Sequence, residues 1–418
     1  MKHLLLPAAT VRTWLSGIVC AVLAAALPAA AVAPVVKTVP WVAGSPLIPH
    51  NTWSGKTITL KGTSDQFGGT ISYTWDFGDG SPVVTGPIPN TTAAFKLEAT
   101  HAYVGSVGTV FSATLTVSNS GTGESASQRY YVEIFPQTLE VEINVAIDEG
   151  LWNIHKAQTR TATDAVWPGH YSSTAANVNA FEINGHLETG GADNPYVETV
   201  ARGLRRVFTY LARFNIGAQP LGNPDSNGNG FGIYVPQWPY DYQVGIMIDC
   251  LVATGTPNAI APTGPADVVG RTYKDIVQDM VDYYAFSQYD FGGGGYPVLG
   301  GWRYGPNEFP DNSAAQWAAV GLIPAEHIWG CTVPAWVRPA NLDWLRYSQD
   351  TTGSDAGVFG YTGPSPIFGP FGTTPSGMVQ LAMVGVGRGD IMWDRSETFM
   401  RDNFGNAAGE GQYWLNVK

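Results

Sequence analysis

The second half of the chain repeats a unit, and that limits its fold more than any other feature. Segments with helical spacing of apolar residues end at Gln158 (GLWNIHKAQ), Asn215 (VFTYLARFN), Gln288 (YYAFSQ), Gln349 (LDWLRYSQ) and Asn403 (SETFMRDN). A glycine/aromatic turn follows each end, at Trp167, Phe231, Trp302, Phe359 and Trp414. After the first four turns comes a second apolar helix: STAANVNAFEI, DYQVGIMIDCLVATG, NSAAQWAAVGL and TTPSGMVQLAMVGV. The unit is helix, aromatic turn, helix, and such units bury their apolar faces against one another.

Local signals agree with this reading. In DNPYVETVARGLRRVFTYL, Asn194 is placed to cap and Pro195 to open a helix. Val197, Val200, Leu204, Phe208 and Leu211 then recur every three or four residues. In the third copy, GGWRYGPNEFPDNSAAQWAAVGL, Ser313 is expected to cap and Gln316 to close a capping box. Trp317 and Val320 are expected to face inward, and Trp302 to wedge between helices. The fifth copy stops at Lys418, before a second helix. The expectation is a truncated fragment or a unit completed by another chain, because an open array end exposes apolar surface.

Residues 40–136 follow a different period. ISYTWDF alternates Ile71, Tyr73, Trp75 and Phe77 onto one face. VFSATLTV does so with Phe111, Ala113, Leu115 and Val117, and RYYVEIF with Tyr130, Val132 and Ile134. Turn clusters separate them, which predicts a β-sandwich. WDFGDGSP (from Trp75), THAY (Thr100 to Tyr103) and TLTVSN together resemble the polycystic kidney disease (PKD) domain. Asp76 and Asp79 flank its tight turn, where short acceptors bond backbone N–H groups; a metal at these carboxylates is the alternative. The resemblance implies a spacer or binding module and no catalysis.

Residues 1–33 read as an export signal: Lys2, His3 and Arg12 precede an alanine-rich apolar run with cleavage sites at Ala29, Ala31 and Ala33. A membrane anchor is the competing reading. After cleavage the chain is expected to be soluble, with no membrane partner. Acidic residues outnumber basic ones 34 to 22, and a net charge of −12 argues against nucleic acid. Cys250 and Cys331 then remain, as buried thiols or, in an oxidising compartment, a disulfide.

The Gln…Gly-Gly-Trp rhythm over 146–418 resembles the squalene-cyclase repeat of terpenoid cyclases and protein prenyltransferases. That resemblance implies an α/α toroid. The full expectation is therefore a multidomain β + α chain: signal 1–33, PKD-like β-sandwich 40–136, linker 137–145, and toroid 146–418, incomplete at its C-terminus. Neither the Asp-rich motif of class II cyclases nor that of class I enzymes occurs. At the position matching the prenyltransferase zinc segment, Asp311 fits the first ligand, but Ser313 replaces the thiolate. No zinc site of that type is expected.

Secreted toroids also include polysaccharide lyases and glycosidases, with clefts at the inner-helix N-termini. The loops there carry His170, Tyr171, Tyr240, Asp241, Tyr242, Trp302, Arg303, Tyr304, Asp311 and Phe371 to Thr374. Asp241 and Asp311 are the candidate acid/base pair, with helix capping as the alternative. Tyr171, Tyr242, Trp302, Arg303, Tyr304 and Phe371 are the candidate substrate contacts. Separately, DSNGNG sets oxygens at Asp225, Asn227 and Asn229 as in a calcium loop, but Pro236 stands where an EF-hand needs a bidentate Glu. A weak calcium loop or a plain turn results. The leading expectation is a secreted or cell-surface protein binding extracellular glycans or surface proteins without catalysis. The alternative is an extracellular carbohydrate-active or diverged cyclase-like enzyme.

Overall fold

A computed structural model describes residues 32–40, 50–290, 298–365 and 369–403. Nearly all of the expected signal, and the fifth aromatic turn with the chain end beyond it, lie outside the described residues.

The N-terminal part contains β1 (Val36–Thr38), β2 (His50–Thr52), β3 (Thr57–Ser64), β4 (Ile71–Asp76), β5 (Val84–Pro87), the one-turn helix α1 (Thr91–Ala94), β6 (Leu97–Ala102), β7 (Val110–Asn119) and β8 (Ser125–Ile134). They form two sheets, ordered β1-β3-β6 and β2-β8-β7-β4-β5. All pairs are antiparallel except β2 with β8. The expected alternation holds: Ile71, Trp75, Phe77, Ala113, Leu115, Val117, Tyr130, Val132 and Ile134 are buried together, and Tyr73 packs partly against them. Trp75 meets Tyr130 edge-on at 5.7 Å. In the turn that follows β4, Asp76 and Asp79 each accept a backbone N–H two residues on, from Gly78 and Ser81. Asp79 also pairs with His101 at 2.7 Å. Gly78 has φ 73°, and a Cβ there would sit 2.3 Å from the Ser112 carbonyl oxygen, so the turn requires glycine.

The helical part contains α2 (Leu139–Ala157), β9 (Thr159–Arg160), β10 (Ala165–Val166), α3 (Tyr171–Glu182), α4 (Pro195–Thr209), β11 (Ala212–Asn215), β12 (Phe231–Tyr234), α5 (Tyr240–Ala253), α6 (Tyr273–Ser287), α7 (Asn312–His327), α8 (Val337–Ser348), α9 (Pro370–Met383) and α10 (Ile391–Asp402). Helices α3, α5, α7 and α9 lie in a row, each against the next. Helices α4, α6, α8 and α10 pack against that row: α4 on α3, α6 on α5 and α7, α8 and α10 on α9.

The repeat has a hydrogen-bonding cause. Gln158, Gln288 and Gln349, just past α2, α6 and α8, donate to the carbonyls of Thr199, Val337 and Met392 in the opening turns of α4, α8 and α10. Trp167 and Trp302 donate their Nε1–H to the carbonyls of Ile154 and Tyr284, four residues before such a glutamine. These buried donors and acceptors cannot be left unpaired without cost, so the same residues recur. Asn194 caps α4 through Tyr196 N–H, as expected. Asn215 does not end a helix. α4 stops at Thr209, and Ala212–Asn215 pairs as a strand with the turn sequence of β12.

Residues 137–145, read as a linker, lie mostly in α2. Val141 and Val145 complete the sandwich core, whereas Leu151 and Trp152 belong to the helical core. One rigid helix thus serves both parts. Cys250 and Cys331 are buried free thiols.

Candidate functional site

The closest approach between helices lies beside the loops singled out by sequence. A Cβ on Gly245 of α5 would sit 1.9 Å from the Trp317 carbonyl oxygen of α7, and Gly321 packs on Gly245 in turn. Only glycine lets the two backbones meet so closely, which brings the N-terminal ends of α5 and α7 together.

Asp311, not Ser313, caps α7. Its backbone is extended, and its carboxylate accepts Ala314 N–H at 2.8 Å. Ser313 sits one residue inside the helix, and the Gln316 amide donates to the Ser313 carbonyl instead of reaching back to the cap. The freed Ser313 hydroxyl donates to Asp311 at 2.7 Å and bonds the Tyr242 hydroxyl of α5. Tyr361 lies 3.5 Å from the same hydroxyl and 3.0 Å from the Tyr304 hydroxyl. Tyr240 N–H donates to the Tyr304 carbonyl, tying the two loops together.

Aromatic rings surround this hydroxyl network. Trp238 is 59% exposed and meets Tyr304 edge-on at 5.1 Å. Tyr242 lies 5.7 Å from Tyr304 and 6.1 Å from Trp317. Arg303 is half-buried; its guanidinium lies 5.3 Å from the Tyr304 ring and its Nε 3.5 Å from Asp311. Burial pushes the Tyr361 hydroxyl up to about 12 and Tyr242 higher still. Both stay protonated at neutral pH and can donate as well as accept. Burial also raises Asp311, outweighing the hydrogen bonds from Ser313 and Ala314 and the Arg303 charge.

Several expected site residues stand elsewhere. Asp241 is fully buried behind the mouth. It accepts from Tyr283 at 2.9 Å and Ser287 at 2.5 Å, both on α6, and its carbonyl accepts from Tyr284. It neither caps α5 nor reaches solvent; it ties α5 to α6. Burial lifts it to about 7 against those two hydrogen bonds. Trp302 is fully buried and acts as the wedge, so it cannot touch a ligand. Phe371, in the first turn of α9, stacks on Phe399 of α10 at 5.7 Å. Tyr171 stacks on Tyr210 at 3.9 Å and joins the mouth through its N–H, which Gln237 accepts. Trp317 and Val320 are only partly buried, while Ala314, Ala315, Ala318 and Ala319 are the fully buried apolar residues of this stretch. Of the sequence candidates, the structure gathers Tyr242, Arg303, Tyr304 and Asp311. It adds Trp238, Trp317 and Tyr361. Trp238 sits two residues before the Tyr240–Tyr242 run, a signal that the loop's aromatics extend further.

The Asp225–Gly230 turn lies apart, on α6. Asp225 accepts N–H bonds from Gly228, Asn229 and Gly230. Asn227 and Asn229 accept from N–H groups two residues on and donate their amides to Asp279, which Arg271 neutralises at 2.6 Å. The side-chain oxygens of Asp225, Asn227 and Asn229 thus all accept backbone N–H groups within the turn. The loop is a hydrogen-bonded turn seated on α6.

Residues 47–134 match the PKD domain family model. Over 116 residues, 27% of this chain, the sequence is 33% identical to Polycystin-1 of Homo sapiens; the match spans 2% of that protein. Among solved structures, the PKD domain of an M14-like peptidase from a Thermoplasmatales archaeon is 17% identical, covering 25% of this chain and 94% of that one, with a TM-score of 0.17. A family 76 glycoside hydrolase from a bovine Bacteroides thetaiotaomicron strain is 10% identical, covering 85% of this chain and 77% of that one, with a TM-score of 0.32. At these TM-scores neither structure bears on how the helices are arranged. The PKD-like character of the N-terminal β domain, implied by WDFGDGSP and its companions, is borne out by the family match, and a helical region follows it. Among the described residues no helix is long and apolar enough to cross a membrane.

Proposed function

We propose that this is a secreted or cell-surface protein that binds extracellular glycans, without catalysis, at the aromatic mouth of α5 and α7. The observation that carries the reading is Trp238, largely exposed beside Tyr304 and next to a network of neutral hydroxyls. The C–H face of a sugar ring packs on an aromatic plane, and its hydroxyls exchange hydrogen bonds with tyrosine and serine. Binding is favoured over hydrolysis because Asp241 and Asp311 are both fully buried. A general acid must reach the leaving oxygen, and a base must reach water.

In the same reading, residues 40–136 form the PKD module and 146–418 an α/α toroid of repeated helix pairs, with α2 docked across their boundary. The glutamine and tryptophan staples and the row of inner helices support the toroid. Residues 1–33 serve as the export signal.

The test is titration of the protein with a panel of soluble oligosaccharides, followed by tryptophan fluorescence. Trp238→Ala and Tyr304→Ala are expected to weaken binding about tenfold or more, the effect of losing a central aromatic contact. Absence of binding across the panel would sink the reading. Cleavage of any panel member, lost in Asp311→Asn, would replace it with an enzyme.

A further inference from the structure

The boundary between sandwich and helices holds a second concave site, a groove of about 640 Å³ lined by both parts. Clefts between domains are common binding positions. Its charged lining comprises Lys37 and Asp65 from the sandwich side and Arg160, Glu198 and Arg202 from the helical side, against the ring of Phe95. Three cations therefore face two carboxylates.

The acids leave the cations incompletely matched. Asp65 is occupied by the Val35 N–H at 2.7 Å. Glu198 is shared: Arg202 Nε donates to it at 2.7 Å and Arg160 Nη1 lies 3.5 Å away. Arg160 is fixed as a floor, 4.4 Å from the Phe95 ring centre and donating to Gln158 and Thr199. Lys37 is half-buried, and its charge, with those of Arg160 and Arg202, helps hold Glu198 below the usual carboxylate range. It makes no ion pair or side-chain hydrogen bond among the described residues, and Arg202 has Nη2 uncommitted. An unpaired ammonium and a guanidinium with one free Nη2, from the two sides of one groove and over the fixed Arg160 guanidinium, suit a compact group with several anionic oxygens.

We propose that this groove binds a sulfate or phosphate group, held between Lys37 and Arg202. The chemistry fits a free inorganic anion or an ester on a glycan, and the ligands tested separate the two. The site is independent of the aromatic mouth.

The experiment is calorimetric titration and thermal melting of the full chain with inorganic sulfate, inorganic phosphate and a sulfated disaccharide, with chloride at matched ionic strength as control. Near saturation the wild type is expected to melt about 2 °C higher than in chloride. Lys37→Ala is expected to bind about tenfold more weakly, the loss of one charge-assisted contact, and Lys37→Arg to retain binding. Tighter binding of the disaccharide identifies a sulfated glycan; equal binding identifies the free anion. These anions also stabilise proteins by exclusion from the surface. An equal rise in wild type, Lys37→Ala and Arg202→Gln would therefore overturn the proposal, as would no rise over chloride. The Lys37 side chain makes no ion pair or hydrogen bond among the described residues, so its variants report on binding even if Arg202→Gln fails to fold.

Discussion

Lys61 of β3, fully buried in the sandwich, forms an ion pair with Asp148 of α2 and reaches Glu149 at 3.3 Å. Glu149 in turn accepts from the backbone and hydroxyl of Thr59. Further along α2, Trp152 and Lys156 both donate to Glu98 of β6, and His155 bridges the Phe95 carbonyl and Thr199. The PKD-like sandwich is therefore not a loosely tethered spacer. Its charged face is answered by one helix of the following part.

Breaking this pair from one side leaves a buried charge without its counter-ion. Lys61→Met is expected to lower stability by about 3 kcal/mol. The double variant Lys61→Met, Asp148→Leu is expected to recover much of the loss, since the more buried carboxylate is gone and the remaining one, Glu149, is partly exposed and keeps its hydrogen bonds from Thr59. Denaturant unfolding of the four proteins of this cycle checks it.

The same pair sets an acid limit. Burial alone would raise Asp148, but Lys61 and His50 hold it well below its ordinary 3.8. A carboxylate depressed in the folded state contributes stability that is whole above its unfolded value and is lost as pH falls below it. The melting temperature is expected to fall progressively below about pH 4, and less steeply in the double variant. Thermal melts from pH 7 to pH 2 measure this.

Asp241 runs the other way. Burial lifts it from 3.8 to about 7. Between those values the unfolded chain has released this proton while the folded chain retains it. The carboxyl therefore favours folding at low pH, and that contribution is lost as pH rises through 7. Asp241→Asn cannot ionise and keeps an acceptor for Tyr283 or Ser287. Its melting temperature is expected to gain on the wild type as pH rises from 4 to 8. Parallel curves would mean that Asp241 carries no such handicap.

These two carboxylates mark how far the sequence could be read. Period-two alternation placed Trp75, Leu115 and Val132 in one core, because each strand face meets the core by geometry alone. The recurring Gln and Trp identified the repeat, and the structure supplies their cause in backbone carbonyls of neighbouring helices. Asp241 stands at a helix start just as Asp311 does, and local sequence cannot tell a cap from a buried staple. That difference is set by Tyr283 and Ser287, more than forty residues later in the chain. Trp317 was expected in the core from its helical spacing. The helices meet at Gly245 and Gly321, backbone on backbone, and the Trp317 ring lies beside Tyr242 at the mouth. Ala212–Asn215 is too short for its strand character to outweigh the helix before it.

The Gly245 contact carries its own consequence. A methyl group there must push α5 away from the Trp317 carbonyl, a backbone atom that cannot rotate aside. Gly245→Ala is expected to cost about 3 kcal/mol, the upper end for overpacking a core. It is also expected to weaken glycan binding, because Tyr242 and Ser313 would lose their hydrogen bond across the helix pair. Gly255→Ala, at a position with open space but positive φ, serves as the control for backbone effects alone; it is expected to lower stability while leaving binding intact.

The Asp225 turn gives the last test. Asp225→Ala removes the acceptor of three backbone N–H groups at once. Exposed N–H groups regain water, so the expected loss is about 1–2 kcal/mol, comparable to removing a strong helix cap. Because its oxygens already accept those N–H groups, the loss is expected to be the same in millimolar calcium and in chelator. A calcium-dependent rise in melting temperature that Asp225→Ala abolishes would instead show a cation using the lone pairs that the N–H groups leave free. The turn would then be a metal site that braces α6 behind the aromatic mouth.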